Sequence, residues 1–196
     1  MLLSQNVFFV REHVAALKLT DTYDILDSES QSNIGVAREE PPGWAKWLRL
    51  VVNKGLLPTV VNVYETGSDE PVIVIRKPVQ LLRAKVTVYD AGGRALGYFK
   101  SKLLSLGGGF HVYDMEDNLV AEIKGDWKGW NFRFISKTNV EIGTVTKQWA
   151  GIGKELFTSA DNYVISISED ISNNKIAKSL LIAAGLSIDI VFKENQ

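Results

Sequence analysis

The segment from Lys178 to Lys193 limits what this chain can fold into more than any other. Between those two lysines lie fourteen residues without a positive charge. At the helical period Leu180, Leu181, Ala184, Leu186, Ile188, Val191 and Phe192 cover the whole circumference, so a helix here has no solvent face and has to be enclosed. The enclosure is either lipid or protein. A membrane span needs about 20 apolar residues, a run of roughly 10 to 14 is more often a buried core helix, and Asp189 would be costly in hydrocarbon. The expectation is a helix near residues 175–192 buried within protein, with the rest of the chain as its container.

That remainder reads as strands. From Val7 to Ser168, short apolar or alternating runs are separated by glycine, asparagine and aspartate, the pattern of antiparallel hairpins. Twelve runs qualify: Val7–Val10, Tyr23–Leu26, Ile34–Ala37, Thr59–Tyr64, Val72–Lys77, Lys85–Tyr89, Ala95–Lys100, Gly109–Tyr113, Leu119–Lys124, Asn131–Ser136, Glu141–Lys147 and Tyr163–Ser168. Val86 and Val88, Phe132 and Phe134, and Ile165 and Ile167 each place one apolar face opposite a polar one. The turns Asp90–Arg94 and Asp114–Asn118 hold residues that tolerate left-handed backbone or bond their own main chain. The predicted fold is mainly β: a single domain over residues 1–196, with twelve antiparallel strands closed into a barrel around the C-terminal hydrophobic helix. Closure removes exposed sheet edges.

One segment breaks the β pattern. In Pro41–Gly55, Trp44, Trp47, Leu48, Val51 and Val52 recur at i, i+3, i+4, i+7 and i+8, which predicts a short amphipathic helix near 44–54 entered through prolines and ended near Gly55. Lys46, Arg49 and Lys54 fall on its other face. An apolar stripe of this kind most commonly packs, here as a plug at one end of the barrel. Two tryptophans opposite basic residues also suit an interfacial membrane contact, which makes Trp44, Lys46, Trp47, Arg49 and Lys54 the membrane-contact candidates.

Chemistry is sparse by comparison. With 22 basic and 23 acidic residues, net charge −1, the chain has no bulk attraction for polyanions, and nucleic acid is not an expected partner. It contains no cysteine, which removes disulfides, thiol nucleophiles and cysteine-based zinc sites. Met1–Val10 has neither a basic start nor a long apolar stretch, so no export is expected. His13 and His111 lie in unrelated segments without metal-binding spacing and are expected to be structural. Gly107–Gly109 is followed by Phe110 and His111 rather than by a phosphate-binding lysine, and in Gly151–Glu155 a carboxylate stands where a magnesium-binding hydroxyl would be needed. No catalytic constellation emerges.

Gly143–Gly151, Lys154–Ile167 and Leu180–Phe192 resemble, in order and spacing, the C-terminal blocks of the phospholipid scramblase family. Upstream the likeness thins to the strand-turn-strand units shared with LURP-one-like proteins and the tubby C-terminal domain. The resemblance implies a twelve-stranded barrel around a C-terminal helix, as the residues themselves suggest. It also implies a calcium motif of acidic residues: Asp161 and Asp170 match it, while Ser159 and Ser172 replace two further acids and Glu169 adds one. Because calcium takes six to eight oxygens with several carboxylates, Asp161, Glu169 and Asp170 form at most a weak calcium site, and no other cofactor is expected. The functional expectation is a non-catalytic scramblase-related barrel that binds a lipid headgroup, ligand or partner protein. Its expected place is cytoplasmic, peripheral at the inner face of the plasma membrane, against an anionic phospholipid surface or a protein. The alternative is a scramblase that inserts its C-terminal helix and moves lipid between leaflets.

Overall fold

A computed structural model describes residues 2–13, 20–53, 56–79, 85–101, 109–126, 130–147, 162–171 and 173–188. All twelve predicted strands are present. They are β1 (Val7–Glu12), β2 (Thr22–Asp27), β3 (Asn33–Glu39), β4 (Thr59–Glu65), β5 (Pro71–Lys77), β6 (Lys85–Asp90), β7 (Ala95–Ser101), β8 (Gly109–Asp114), β9 (Leu119–Asp126), β10 (Asn131–Ile135), β11 (Glu141–Thr146) and β12 (Tyr163–Ile167). Helix α1 (Gly43–Leu48) lies between β3 and β4, and helix α2 (Lys175–Ser187) follows β12.

Each strand pairs with its sequence neighbour, and β1 pairs antiparallel with β12 through Phe8↔Ile165 and Phe9↔Val164, so the sheet closes without an edge. Alternation then sorts the side chains. Phe8, Ile25, Val61, Ile75, Val88, Phe99, Val112, Ile123, Phe134, Val145 and Ile165 belong to one continuous core. Polar and charged side chains meet on the outer face: Arg11 bonds Asp24 at 2.8 Å, Lys124 meets Glu122 at 3.1 Å, and Arg76 lies 4.9 Å over the Tyr89 ring. Apolar-in and polar-out is the reverse of the pattern in membrane-spanning barrels, whose outer wall carries an apolar band. Only around Phe9, Leu26 and Val164, neighbours across β2, β1 and β12, do the described outer residues form a small apolar cluster of their own.

Helix α2 fills the barrel. Asn174 opens it, its side chain accepting a hydrogen bond from the Ala177 amide. From Ala177 to Ile188 every residue is buried, and Leu180, Leu181, Ala184, Leu186 and Ile188 are 0% exposed. Thirteen helical residues span about 20 Å, which matches strands of five to eight residues crossing the wall at a tilt. Close approach is achieved with glycine. A β-carbon on Gly185 would lie 2.6 Å from Ile165 Cδ1, and one on Gly97 would strike the Tyr113 carbonyl and come within 2.9 Å of Leu180 Cδ2. The helix begins three residues earlier than the Lys178 boundary of the apolar run, and Val191 and Phe192 lie outside the described residues.

Candidate functional site

The sequence around α1 is built to turn a short helix out from the barrel end. Pro41 and Pro42 cannot continue the β3 ladder, and Pro42 is the N-cap, its carbonyl accepting from the Lys46 amide at 3.1 Å. One α-helical turn and a half is followed by tighter bonds, Leu50 to Trp47 at 3.2 Å and Val51 to Leu48 at 3.0 Å.

The orientation of this segment overturns the plug expectation. Ala45, fully buried, and Arg49, one turn later, form the inner face. The apolar stripe instead faces out: Trp44 is 55% exposed, Trp47 69%, Leu50 64% and Val51 80%, with Leu48 and Leu56 also exposed. Arg49, a membrane-contact candidate by its sequence position, is unavailable for that role. Its side chain is 3% exposed, its Nη2 donates to Glu39 Oε1 at 2.7 Å, and a longer bond of 3.4 Å reaches Thr59 Oγ1. The other Glu39 oxygen accepts from the Asp21 amide at 3.2 Å. A carboxylate buried at the end of β3 has to be paired, and the arginine that pairs with it fixes which side of α1 faces the barrel. Lys46 remains exposed beside the tryptophans; Lys54 lies outside the described residues.

Of the three calcium candidates, two lie among the described residues. Glu169 and Asp170 are adjacent exposed residues in a 3-10 turn, where the Ser168 hydroxyl bonds Asp170 at 3.4 Å. Asp161 lies outside the described residues, and among those described no three acidic, histidine or cysteine side chains are grouped to hold a metal. Two neighbouring carboxylates do not supply the six to eight oxygens that calcium takes. The histidines stand on the outer wall beside carboxylates, His13 at 2.8 Å from Asp24 and His111 at 3.9 Å from Glu122.

One polar residue of the central helix was missed as more than a flank of the apolar run. Lys178 is 1% exposed, and its ammonium donates to Asn6 Oδ1 at 2.7 Å. Burial lowers its pKa. The sequence signal available was its spacing, since Lys178 lies one turn before Ile182 on the same buried helix.

Among the described residues no helix is long and apolar enough to cross a membrane. The scramblase family model matches residues 84–195, more than half of the chain, from the start of β6 through α2. The chain belongs to the scramblase family. That family is not a catalytic one, in keeping with a sequence that nominates no catalytic residues. No curated protein and no solved structure matches the chain. The family match makes the closed barrel with its enclosed helix a scramblase-family domain and leaves α1, upstream of the matched residues, as a feature of this chain's own geometry.

Proposed function

We propose that this scramblase-family barrel is a non-catalytic membrane-binding protein that meets anionic phospholipid peripherally through the α1 tip. The observation that carries the reading is the outward display of Trp44, Trp47, Leu50 and Val51, at 55%, 69%, 64% and 80% exposure, on a segment anchored from beneath by a buried ion pair. A contiguous exposed apolar patch on an otherwise polar surface marks an interaction site, and tryptophans suit the headgroup level, where the ring is buried and its N–H stays wet. Lys46 adds attraction worth about 1 kcal/mol near an anionic surface. With Arg49 withdrawn, contact depends more on apolar insertion than on charge. The enclosure of Leu180–Ile188 within the wall supports a mode of contact that leaves α2 in place.

The test is co-sedimentation with liposomes with and without anionic lipid, at low and high salt. The native chain is expected to bind, Trp44→Ala/Trp47→Ala to lose most of the binding, and Lys46→Glu to lose the anionic preference, all with unchanged thermal transitions. A native chain that stays in the supernatant under every condition, or a double tryptophan variant that binds as the native chain does, would refute the reading.

A further inference from the structure

The tight hairpin turns between β6 and β7, β8 and β9, and β10 and β11 gather at the end of the barrel remote from α1, where α2 enters. There they surround a cup of about 670 Å³, within the range of small-ligand sites. Its wall mixes apolar with polar side chains and includes the first turn of α2. Ile176 is 44% exposed, the one apolar side chain among the described residues of that helix not enclosed by the wall, and Met115 opposite is 53% exposed. Leu96, Ile142 and Ile171 add to the apolar part of the lining.

The rim carries four charges, and two of them are already committed. Arg94 is held by Asp90, through its amide at 2.9 Å and its Nε at 3.0 Å. Asp114 caps its own turn, one oxygen accepting from the Glu116 and Asn118 amides at 2.9 Å each and the other from Asn118 Nδ2 at 3.0 Å. The other two are held more loosely: after the Asn118 side-chain bond, the Lys137 charge acting at a distance helps to lower the Asp114 pKa. Lys137, in the neighbouring turn, makes no ion pair within 4.0 Å among the described residues, and Glu116 accepts one long bond of 3.4 Å from Asn118. The cup therefore offers an ammonium and a carboxylate that are not joined to each other in an ion pair, above a partly apolar wall.

We propose that this cup binds a single-chain zwitterionic amphiphile, with Lys137 facing the ligand's anionic group, Glu116 its ammonium, and Ile176, Met115 and Ile142 its alkyl chain. A single-charge head would leave one of the two rim groups facing a like charge or nothing, so opposite charges a short distance apart in one head are the complement. The volume suits one chain and a small head. The proposal is independent of the α1 surface, which lies at the other end of the barrel.

The experiment is calorimetric titration of the full chain with monomeric amphiphiles below their micelle concentrations, in the absence of vesicles. The probes are dodecylphosphocholine, the carboxylate zwitterion dodecyl-dimethylglycine, dodecyl phosphate, dodecyl-trimethylammonium, and the chainless head glycerophosphocholine. Both zwitterions are expected to bind saturably at one site, at least fivefold more tightly than either single-charge probe, and the chainless head not to bind. A phosphocholine preference over the carboxylate zwitterion would identify lysophospholipid as the source, whereas parity would mean that the zwitterion and chain alone decide. Lys137→Glu and Glu116→Lys should each weaken binding at least fivefold, and Ile176→Asn should remove the chain's contribution. These residues are exposed, and unchanged thermal transitions will confirm folded variants. Trp44→Ala/Trp47→Ala should bind as the native chain does, which separates this site from the membrane reading. The proposal is overturned if no probe binds saturably, or if single-charge probes match the zwitterions and the three cup variants bind like the native chain.

Discussion

Arg49 and Glu39 meet at 2.7 Å with side chains 3% and 0% exposed, at the root of a segment whose neighbouring side chains are among the most exposed apolar groups of the barrel. The pair orients the tip. Removing one partner leaves a buried charge unmatched, which costs about 3 to 5 kcal/mol, whereas replacing both with apolar residues of similar volume is often close to neutral. Glu39→Ala is expected to lose stability in that range by urea unfolding, and Arg49→Met/Glu39→Met to recover most of it. Equal losses in the single and double variants would show that the pair has no such coupling.

Enclosure of α2 predicts that the domain does not exist without it. A chain ended at Asn173 is expected to lack a cooperative unfolding transition, because the inner faces of twelve strands would be left facing water. Leu181→Ala, at a residue 0% exposed, should cost roughly 2 to 5 kcal/mol, as large-to-small core changes do. A folded, cooperatively melting truncation would place the stabilising core elsewhere.

Gly97 marks one close passage of wall and helix. An alanine methyl there meets the Tyr113 carbonyl, which is main chain and cannot rotate aside, together with Leu180. Gly97→Ala is therefore expected to destabilise by about 1 to 3 kcal/mol, the usual cost of overpacking. In Gly97→Ala/Leu180→Ala part of that loss should return. If the second change restores nothing, the strain lies wholly in the β7–β8 ladder.

Two groups give opposite alkaline dependences. Burial lowers the Lys178 pKa from 10.5, so the folded chain holds that proton more weakly than the unfolded one and stability rises with pH up to about 10.5. Lys178→Met should flatten that rise between pH 7 and 10, read from urea midpoints. Tyr98 behaves in the reverse sense: burial first, and then its bond to Asp117, push its pKa from 10.0 up to about 12. Its contribution is complete below pH 10 and is lost as pH climbs from about 10 to 12. An ultraviolet titration should show a phenol still protonated at pH 11 that is absent from Tyr98→Phe.

Calcium should bind no more tightly than the millimolar end of known protein sites, since Glu169 and Asp170 are not joined by a third acid among the described residues. Micromolar affinity by calorimetry would contradict this.

The barrel was legible because its physics is periodic. Val86 and Val88 or Phe132 and Phe134 alternate with polar neighbours, the turns Asp90–Arg94 and Asp114–Asn118 announce themselves by residue type, and a run apolar all round has to be enclosed. Each of these signals is local. The facing of α1 was not legible, because Trp44, Trp47 and Val51 carry the same stripe whether they pack or protrude. What decides is Glu39, ten residues earlier, buried by the closure of β3 on β4, and the arginine it captures. No period within Pro41–Gly55 encodes that. The cup escaped for a similar reason, since Glu116, Lys137 and Ile176 lie on three separate elements and share a rim only once the barrel is closed.

Because the wall is laid down first and its filling last, emergence from the ribosome imposes an order on this fold. Strand β1 waits for β12 to complete its ladder, and Phe8, Val61 and Phe132 wait for Leu180–Ile188 to cover them. Such non-local closure is intrinsically slow, and until the final helix arrives the nascent chain presents unpaired edges and a bare apolar interior to its surroundings. A nascent chain of this kind is expected to engage chaperones until α2 has emerged behind the twelve strands.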